Sequence, residues 1–367
     1  MKLIKVVFAI FFVAALMFAP LNQQANAQCL ADVNHDHSVD GSDLTVILST
    51  WGTDGGSAGG DINGDGTVNG LDLTFILSGW GVCPGPTWAT VLEWAPDSAV
   101  VTDANLRAAI VASGLAWRVR DNSSNIEMLL VPAGTFTMGC SASNLHACYS
   151  NEFPTHQVTL TQAFYMGRYE VTQAQWTAKM GSNPSQFQGQ SDSPSRPVEQ
   201  VSWNMIASGP TSFMSRTGLR LPTEAEWEYA YRADTTTAFH SYALSPTEGL
   251  PNGFNGDALL GNIAWYSGNN GALGSSNYGT KAIGGKLANG LGLHDMAGNV
   301  WEWCQDWYGP YSSGSVTNPT GPTTGSYRLL RGGYWFYESS ECRASRRISI
   351  TPSSIINSVG FRVVRNP

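Results

Sequence analysis

Apolar residues fall in short runs along the chain, separated by glycine, proline and polar residues. Leu44–Leu48 and Leu73–Leu77 are apolar segments that predict two short helices, each of which ends at a Trp-Gly pair. Ile126–Val131 is a continuous apolar run that predicts a buried strand, and Gly134–Met138 predicts the arm of a hairpin. The pattern therefore predicts many short elements joined by irregular chain.

Two further helices are predicted from their first residues. Thr172 is followed three positions later by Gln175, and Thr223 is followed by Glu226 at the same distance. This spacing is that of a capping box, in which each side chain accepts a hydrogen bond from the other residue's backbone amide. In the second helix the pattern turns Trp227 toward the core.

The composition is that of a globular chain. Of the 367 residues, 42% are hydrophobic and 13% are charged, and there are 40 glycines and 13 tryptophans. This combination is typical of a loop-rich globule held by aromatic packing, not of a helical bundle. The formal net charge is −8 and no basic patch is visible, so nucleic acid and anionic membrane surfaces are not expected partners.

Residues 1–27 have the three parts of a secretory signal peptide. Lys2 and Lys5 supply the positive charge, Val6–Phe18 is an uninterrupted apolar run, and Ala25–Ala27 is a small-x-small cleavage site. The apolar run is too short to cross a bilayer. We therefore expect an exported protein, secreted or at the cell surface, whose mature form has no membrane span.

A twelve-residue pattern of oxygen-bearing side chains occurs twice between residues 28 and 83. Acidic or amide side chains stand at positions 1, 3, 5, 9 and 12, and position 7 offers a backbone carbonyl, which is the spacing that wraps one calcium ion. The predicted ligands are Asp32, Asn34, Asp36, Ser38, Asp40 and Asp43 in the first loop and Asp61, Asn63, Asp65, Thr67, Asn69 and Asp72 in the second. Calcium is therefore the expected cofactor of this region.

This duplicated segment resembles a type I dockerin, a small all-α module whose paired calcium loops dock onto cohesin domains. The resemblance covers Asp32–Gly81 and implies a cohesin-like partner. It departs at Gly41–Ser42 and Gly70–Leu71, where dockerins of cellulosomes usually carry a hydroxyl pair. A small calcium-stabilised spacer without a partner is the alternative interpretation.

A second candidate cation site lies in the run Asp295–Trp303. The carboxylates of Asp295 and Glu302, with carbonyl oxygens between them, could form an oxygen cage for a hard cation such as calcium. Gly298 permits the sharp turn that such a cage needs. A turn followed by an aromatic-rich strand explains the same residues without a metal.

Seven ordered motifs connect this run with the rest of the C-terminal region. They are Met128–Gly139, Tyr169–Trp176, Pro197–Trp203, Leu219–Ala230, Gly298–Trp303, Leu330–Gly333 and Gly360–Val364. Together they resemble the formylglycine-generating enzyme, or sulfatase-modifying factor, family over residues 126–367. The resemblance implies an irregular, loop-rich α+β fold related to C-type lectins. It also implies calcium bound by the side chains of Asp295 and Glu302 and the carbonyls of Gly298 and Val300.

Between the two regions, residues 84–125 are expected to be a linker with a lead-in helix. Pro84–Pro86 is a stiff boundary, and Thr102–Ile110 has the pattern of a capped helix. The expected domains are therefore a dockerin-like module at 28–83 and a sulfatase-modifying-factor domain at 126–367.

The resemblance also locates where catalysis would take place. Enzymes of this family oxidise a substrate cysteine with two cysteines that bind copper(I), an ion that favours soft thiolate ligands. In this chain Gly332-Gly333 is followed by Tyr334 at the family's serine position and by Tyr337 at the position of the first cysteine. Copper and cysteine oxidation are therefore not expected, although an active enzyme that matures sulfatases stays the alternative.

A family member without this cysteine pair could instead bind a peptide or a glycan in the same groove. Aromatic side chains at the mouth of a groove suit either ligand. The candidate lining residues are Trp301, Tyr334, Trp335, Tyr337 and Arg346. A third hypothesis makes the dockerin-like module the functional end, in an extracellular assembly.

The six cysteines of an exported chain are expected to pair. Fifteen connectivities are possible for six cysteines. Sequence order and the module boundary favour Cys29–Cys83, Cys140–Cys148 and Cys304–Cys342. A redox-active Cys304 and Cys342 pair is the alternative to a structural bridge.

Overall fold

The computed structural model describes residues 31–34, 36, 38–55, 59–83, 85–140, 148–240 and 260–367. The chain divides into two compact units, Met1–Thr87 and Trp88–Pro367, called here unit 1 and unit 2. The signal peptide predicted at 1–27 lies outside the described residues. Among the described residues, no helix has the length and apolar composition needed to cross a membrane.

Unit 1 is built from the two apolar segments that come after the calcium-type loops. They form α1 (Gly41–Ser49) and α2 (Gly70–Gly79), and the short strands β1 (Ser38–Val39) and β2 (Gly81–Val82) pair antiparallel. The hydrophobic cluster at the centre of this unit is formed by Ala31, Val39, Ile47, Val68, Leu73 and Ile76. The small helical module expected at this end of the chain is confirmed.

The first sheet of unit 2 has five antiparallel strands. Along the sheet they are β16 (Val364–Arg365), β8 (Phe164–Gly167), β5 (Glu127–Val131), β4 (Arg118–Asp121) and β3 (Ala89–Glu93). Helix α3 (Ala104–Ala112) connects β3 to β4. The lead-in helix expected within residues 84–125 is present as α3, but the linker expected around it is wrong at β3 and β4, because both hydrogen-bond into the sheet.

Three smaller sheets complete the strands of unit 2. The four-stranded sheet runs β14 (Arg347–Ile350), β13 (Arg328–Arg331), β11 (Trp301–Trp307) and β15 (Val359–Gly360). The three-stranded sheet runs β12 (Val316–Thr317), β7 (His156–Leu160) and β6 (Gly134–Met138), and β9 (Ala264–Trp265) pairs with β10 (Ala297–Gly298). Strand β11, which carries both Glu302 and Cys304, is an inner strand because β13 and β15 pair with its two edges.

Short helices pack between these sheets. They are α4 (Gln173–Met180), α5 (Trp203–Ala207), α6 (Phe213–Thr217), α7 (Glu224–Arg232) and α8 (Leu260–Ile263). Both predicted capping boxes are present, at Thr172 with Gln175 and at Thr223 with Glu226. The loop-rich mixture of short helices and sheets that the sequence predicts is therefore confirmed.

Unit 2 has a core that contains charge as well as aromatic side chains. Four arginine side chains are fully buried, and each bonds a buried glutamate. The pairs are Arg331 with Glu228, Arg343 with Glu152, Arg347 with Glu224, and Arg362 with Glu302. A buried ion pair whose partner is removed leaves an uncompensated charge, so these pairs fix which elements can pack together.

Candidate functional site

The carboxylates of the first calcium-type loop converge. Single carboxylate oxygens of Asp32, Asp36 and Asp43 all lie within 4.8 Å of one another. The Asp43 side chain is fully buried, and its Oδ1 accepts the backbone N–H of Asn34 at 3.1 Å. Three acidic side chains in one small volume repel each other unless a cation lies between them, so this geometry supports the calcium prediction.

The second loop repeats the same hydrogen bonds. Asp72 is fully buried and its Oδ1 accepts the backbone N–H groups of Ile62 and Asn63, at 2.8 and 3.1 Å. The amide of Asp65 donates to Asp61 Oδ1 at 3.2 Å. The last aspartate therefore holds the beginning of each loop, which explains why position 12 carries a short carboxylate in both repeats.

The residues at position 9 have a second role that the spacing alone does not reveal. Asp40 and Asn69 are the N-caps of α1 and α2, and their side chains accept the amides of Ser42 and Leu71 at 2.7 and 2.8 Å. An N-cap oxygen is directed at the helix terminus. Asp40 and Asn69 stay predicted ligands, as do Asn34, Ser38, Asn63 and Thr67.

Calcium titration tests both loops together. We expect Asp43→Asn and Asp72→Asn each to reduce the calcium stoichiometry of the full chain by one ion, because each removes a buried carboxylate from one loop. At a calcium concentration 1,000 times Kd, binding adds about 4 kcal/mol to the stability of unit 1. Calorimetric titration gives the stoichiometry, and an unchanged value in the double variant contradicts the assignment. Asp97→Asn, an exposed acid of unit 2, is the control.

The predicted cation cage at Asp295–Trp303 has a different partner for one of its ligands. Both carboxylate oxygens of Glu302 accept hydrogen bonds from Arg362, each at 2.7 Å, and Oε2 also accepts the Trp227 indole N–H at 2.7 Å. Three donors occupy three of the roughly four acceptor positions that a carboxylate offers. Glu302 as a calcium ligand stays a prediction, and in this structure the guanidinium of Arg362 neutralises its charge.

Asp295 differs from Glu302 because one of its oxygens is uncompensated. Its Oδ2 accepts the backbone N–H of Gly284 at 2.6 Å, whereas Oδ1 is buried without a hydrogen bond. Burial raises the pKa of Asp295 to about 6, and burial together with the charges of Asp295 and Glu302 raises the pKa of Glu170 well above its usual range. Calcium held by Asp295 with the Gly298 and Val300 carbonyls stays a prediction.

Three of the five predicted groove residues lie in contact. The Tyr334 ring lies 5.8 Å from that of Trp335 and 5.3 Å from that of Tyr337, measured between centroids. Tyr337 is 48% exposed, while Trp335 is buried and its ring packs against that of Tyr334. The sequence prediction missed Phe336, although it stands among four consecutive aromatic residues and is 51% exposed.

Two aromatic residues from distant parts of the chain extend this surface. Tyr278 contacts Trp335 and Phe336 with centroid distances of 4.7 and 5.6 Å, and Phe187 contacts Trp335 at 5.2 Å. No local signal identifies them, because they are separated from Trp335 by long stretches of chain. We call Phe187, Tyr278 and Tyr334–Tyr337 the aromatic surface.

The other two predicted lining residues have different roles. Trp301 is only 3% exposed and belongs to the core. Arg346 donates to Glu341 at 2.8 Å, and its guanidinium lies 3.9 Å from the centre of the Tyr149 ring. Neither is available as an exposed ligand contact, because one is covered by packing and the other is committed to an ion pair.

The cysteines agree with the prediction in one case. Cys140 and Cys148 form a disulfide bond. Cys304 and Cys342 are separate, fully buried thiols, so the predicted bridge between them is wrong for this structure. Cys304 lies within strand β11 and Cys342 on a short turn, a relation that sequence order does not reveal. Cys29 lies outside the described residues, and its pairing with Cys83 stays a prediction.

Comparison with known protein families accounts for most of the chain. Residues 115–367 match the sulfatase-modifying factor enzyme 1-like domain, and residues 30–78 match the dockerin type I domain. A formylglycine-generating enzyme of Streptomyces coelicolor is 38% identical over 181 residues, which are 46% of this chain and 52% of that protein. The chain thus spans about half the length of that relative.

One further relative and two solved structures each match about two thirds of this chain. The mouse formylglycine-generating enzyme is 29% identical over 291 residues, covering 64% of this chain and 74% of that protein. Among solved structures, variable protein 1 of Treponema denticola has a TM-score of 0.54 and 29% identity, covering 66% of this chain and 95% of that chain. PvdO from Pseudomonas aeruginosa has a TM-score of 0.55 and 24% identity, covering 68% and 98%, and supports the fold. The chain therefore belongs to the sulfatase-modifying factor family and carries a type I dockerin domain before it.

Proposed function

We propose that this chain is an exported binding protein whose aromatic surface holds a neutral glycan, and that it lacks copper-dependent cysteine oxidation. The observation that carries the proposal is the side chain at the position where the family resemblance expects the first catalytic cysteine. Tyr337 stands there, 48% exposed, with its ring tilted against that of Tyr334 at a centroid distance of 5.3 Å. A phenol cannot replace the soft thiolate that copper(I) favours.

The unbridged thiols nearby do not supply a replacement. Cys304 and Cys342 are fully buried, and burial raises the pKa of each thiol well above its ordinary value. Only the thiolate form binds a metal or attacks a disulfide, and it needs access to its partner. Two protonated, inaccessible thiols therefore support a binding role over an oxidase role.

The chemistry of the aromatic surface favours an uncharged polar ligand. Its two nearby cations are already committed: Lys281 donates to Asn270, Asn277 and Gly279, and Arg346 to Glu341. The exposed groups of the aromatic surface are the rings themselves, such as those of Phe336 and Tyr337. Sugar rings stack on such aromatic faces, which favours a glycan as the ligand.

The dockerin domain gives the chain a second docking element. Leu48 and Trp51 in the first repeat, and Leu77 and Trp80 in the second, are exposed at matching positions, with exposed fractions from 39% to 56%. Exposed apolar side chains in a repeated arrangement are typical of an interaction surface. A cohesin-like partner is the occupant that the dockerin domain implies, which would place the glycan-binding unit in an extracellular assembly.

A glycan-binding measurement tests the proposal. We expect the full chain with calcium to bind members of a neutral glycan array, and Tyr337→Ala to weaken that binding about tenfold, equivalent to about 1.4 kcal/mol. Leu287→Ala, which removes another exposed apolar side chain, is the matched control and should bind as the wild type does. Binding only to peptides, or equal binding by both variants, contradicts the proposal.

The alternative is an enzyme that matures sulfatases, which the identity to named formylglycine-generating enzymes favours. Its assay is oxidation of a cysteine-containing sulfatase peptide in the presence of copper(I). We expect no aldehyde product above a metal-free control. Product formation that is lost in Cys342→Ser would establish the enzyme and reject the proposed loss of activity.

A further inference from the structure

A cavity of about 450 Å³ lies in unit 2, apart from the aromatic surface. Its wall comes from the beginning of α7, the end of β11, strand β14, His156 on β7, and the segment 309–322. None of the residues of the aromatic surface lines it. The volume is many times that of one water and falls within the usual range for small-molecule sites.

One charged pair in the wall is self-contained. Arg347 donates from Nε and Nη2 to the two carboxylate oxygens of Glu224, at 2.8 and 2.7 Å. Its remaining Nη1 donates to the backbone carbonyls of Asn151 and Gly309. The hydroxyl of Tyr311 adds a bond to Glu224 at 3.3 Å. The charges of Arg347 and Glu224 compensate each other, and their hydrogen-bonding groups are occupied. This pair therefore forms a fixed part of the wall and does not bind the ligand.

The carboxyl of Asp306 is the acidic group in the wall without an ion pair in the described part of the chain. Asp306 is 4% exposed, and its Oδ2 accepts the backbone N–H of Glu224 at 2.9 Å. Among the described residues no hydrogen bond reaches its Oδ1. Burial, with Glu224 as the next cause, raises the pKa of Asp306 to about 8. A buried carboxyl that lines an open cavity is therefore held protonated because no cation accompanies it.

The nearest guanidinium groups cannot serve as that cation. Arg347 is bound to Glu224, and Arg328 lies between the rings of Trp203 and Trp307, with its central carbon 3.7 and 3.4 Å from their centroids. The Arg328 Nη1 donates to the carbonyl of Gln305 at 2.5 Å. Both arginines are held by these contacts and are not available to pair with the Asp306 carboxyl.

His156 supplies a second acceptor in the wall. Its Nδ1 lies 3.1 Å from the carbonyl oxygen of Pro154, which can only accept, so Nδ1 carries the proton. In an imidazole with the proton on Nδ1, Nε2 carries the lone pair. A carboxylate and an imidazole lone pair are both acceptors, and the ligand that matches them is a donor with positive charge.

We propose that this cavity binds a small organic cation, carrying a primary ammonium or guanidinium group, with Asp306 as its counter-ion. An anionic ligand finds no free cation in the described part of this wall, because Arg347 is already bound to Glu224. On binding, the Asp306 carboxylic acid releases its proton to solvent, and the resulting carboxylate pairs with the cation. Charge and atoms balance, since one proton leaves for each cation that enters.

The charged and titratable groups around Asp306 determine the expected pH dependence. They are Glu224 and Glu226 on α7, Arg328 on β13, Arg347 on β14, Cys304 on β11, and His156 across the cavity. Because the cation pairs with the ionised form, the affinity should be close to tenfold higher at pH 7 than at pH 6.

The test uses the full chain with n-butylammonium as the probe and n-butanol as a neutral molecule of the same shape. We expect saturable binding of n-butylammonium, with about one proton released per cation when the binding heat is compared in phosphate and MOPS buffers, neither of which contains a primary ammonium. Asp306→Asn keeps the acceptor for the Glu224 amide and should bind at least tenfold more weakly. Asp97→Asn, which removes an exposed carboxylate, should bind as the wild type does.

Three results would overturn the assignment. They are no saturable binding of n-butylammonium, equal binding of n-butanol, or an unchanged affinity in Asp306→Asn. Equal binding of n-butanol would mean a neutral hydroxyl ligand with Asp306 still protonated. If Asp306→Asn does not fold, Thr320→Trp fills the cavity from an exposed position of its wall, and it should also weaken binding at least tenfold.

Discussion

Replacing Arg362 with methionine is expected to lower the free energy of unfolding of unit 2 by about 3–5 kcal/mol. The guanidinium is fully buried, bonds both oxygens of Glu302, and also donates to the carbonyls of Gly167 and His294, each at 3.0 Å. It is also the positive charge that faces Glu170 and Asp295. Methionine has a similar length but leaves three buried carboxyls without this cation.

Urea denaturation at pH 7, followed by tryptophan fluorescence, measures this loss. Arg120→Met is the control, because Arg120 is 46% exposed and lies 4.0 Å from Glu127, a pair expected to contribute less than about 1 kcal/mol. The double variant Glu302→Gln with Arg362→Met should recover part of the stability, since it removes a charge from both sides. A loss below about 1 kcal/mol in Arg362→Met would show that Glu302 is neutralised in another way.

Local signals were sufficient where the interaction itself is local. The capping boxes at Thr172 and Thr223 join residues three positions apart, so the sequence alone predicts them. The carboxylates of each calcium-type loop lie within twelve residues, and the structure brings Asp32, Asp36 and Asp43 together. Order along a short segment limits the possible arrangements enough for the prediction to hold.

Partners of buried charges could not be predicted in the same way. Glu302 had a metal-type spacing to Asp295, yet its actual partner, Arg362, lies sixty positions later. Both a calcium ion and a guanidinium satisfy a buried carboxylate, and no local pattern separates them. The same holds for Cys304 and Cys342, whose side-chain positions depend on how a strand and a turn pack.

The error in the expected linker has a different cause. Strand β4 has the sequence Arg118-Val119-Arg120-Asp121, and three of its four residues are charged, so the segment carries no apolar run. It is nevertheless an inner strand, because β3 and β5 pair with its two edges. Val119 is buried on one face of the strand, and Arg118 forms an ion pair with Glu127 on β5. Cross-strand ion pairs can stabilise a strand that hydrophobic periodicity does not detect.

Buried carboxyls give the folded chain a stability that falls as pH rises. Asp295, Glu199 and Asp306 have pKa values raised to about 6, about 7 and about 8, in each case chiefly by burial. In the unfolded chain these groups ionise near pH 4. Between the two values the folded state holds protons that the unfolded state has released, so folding is favoured at the lower pH.

Of these three carboxyls, Asp306 should make the largest contribution to that slope. Its stabilising effect is fully present below about pH 4 and is lost as pH rises through about 8, at up to about 1.4 kcal/mol per pH unit. Asp306→Asn cannot take up the proton, so its unfolding free energy should vary less steeply than that of the wild type between pH 5 and 8. Urea denaturation at half-unit intervals measures both slopes.

The control separates this site from the general acidity of the chain. Asp97→Asn removes one exposed carboxylate and should keep the wild-type slope, because it leaves Asp306 and the residues around it unchanged. Identical slopes in wild type and Asp306→Asn would mean that Asp306 is ionised in the folded protein. A cation must then already accompany it, since a carboxylate buried to this extent is not stable alone.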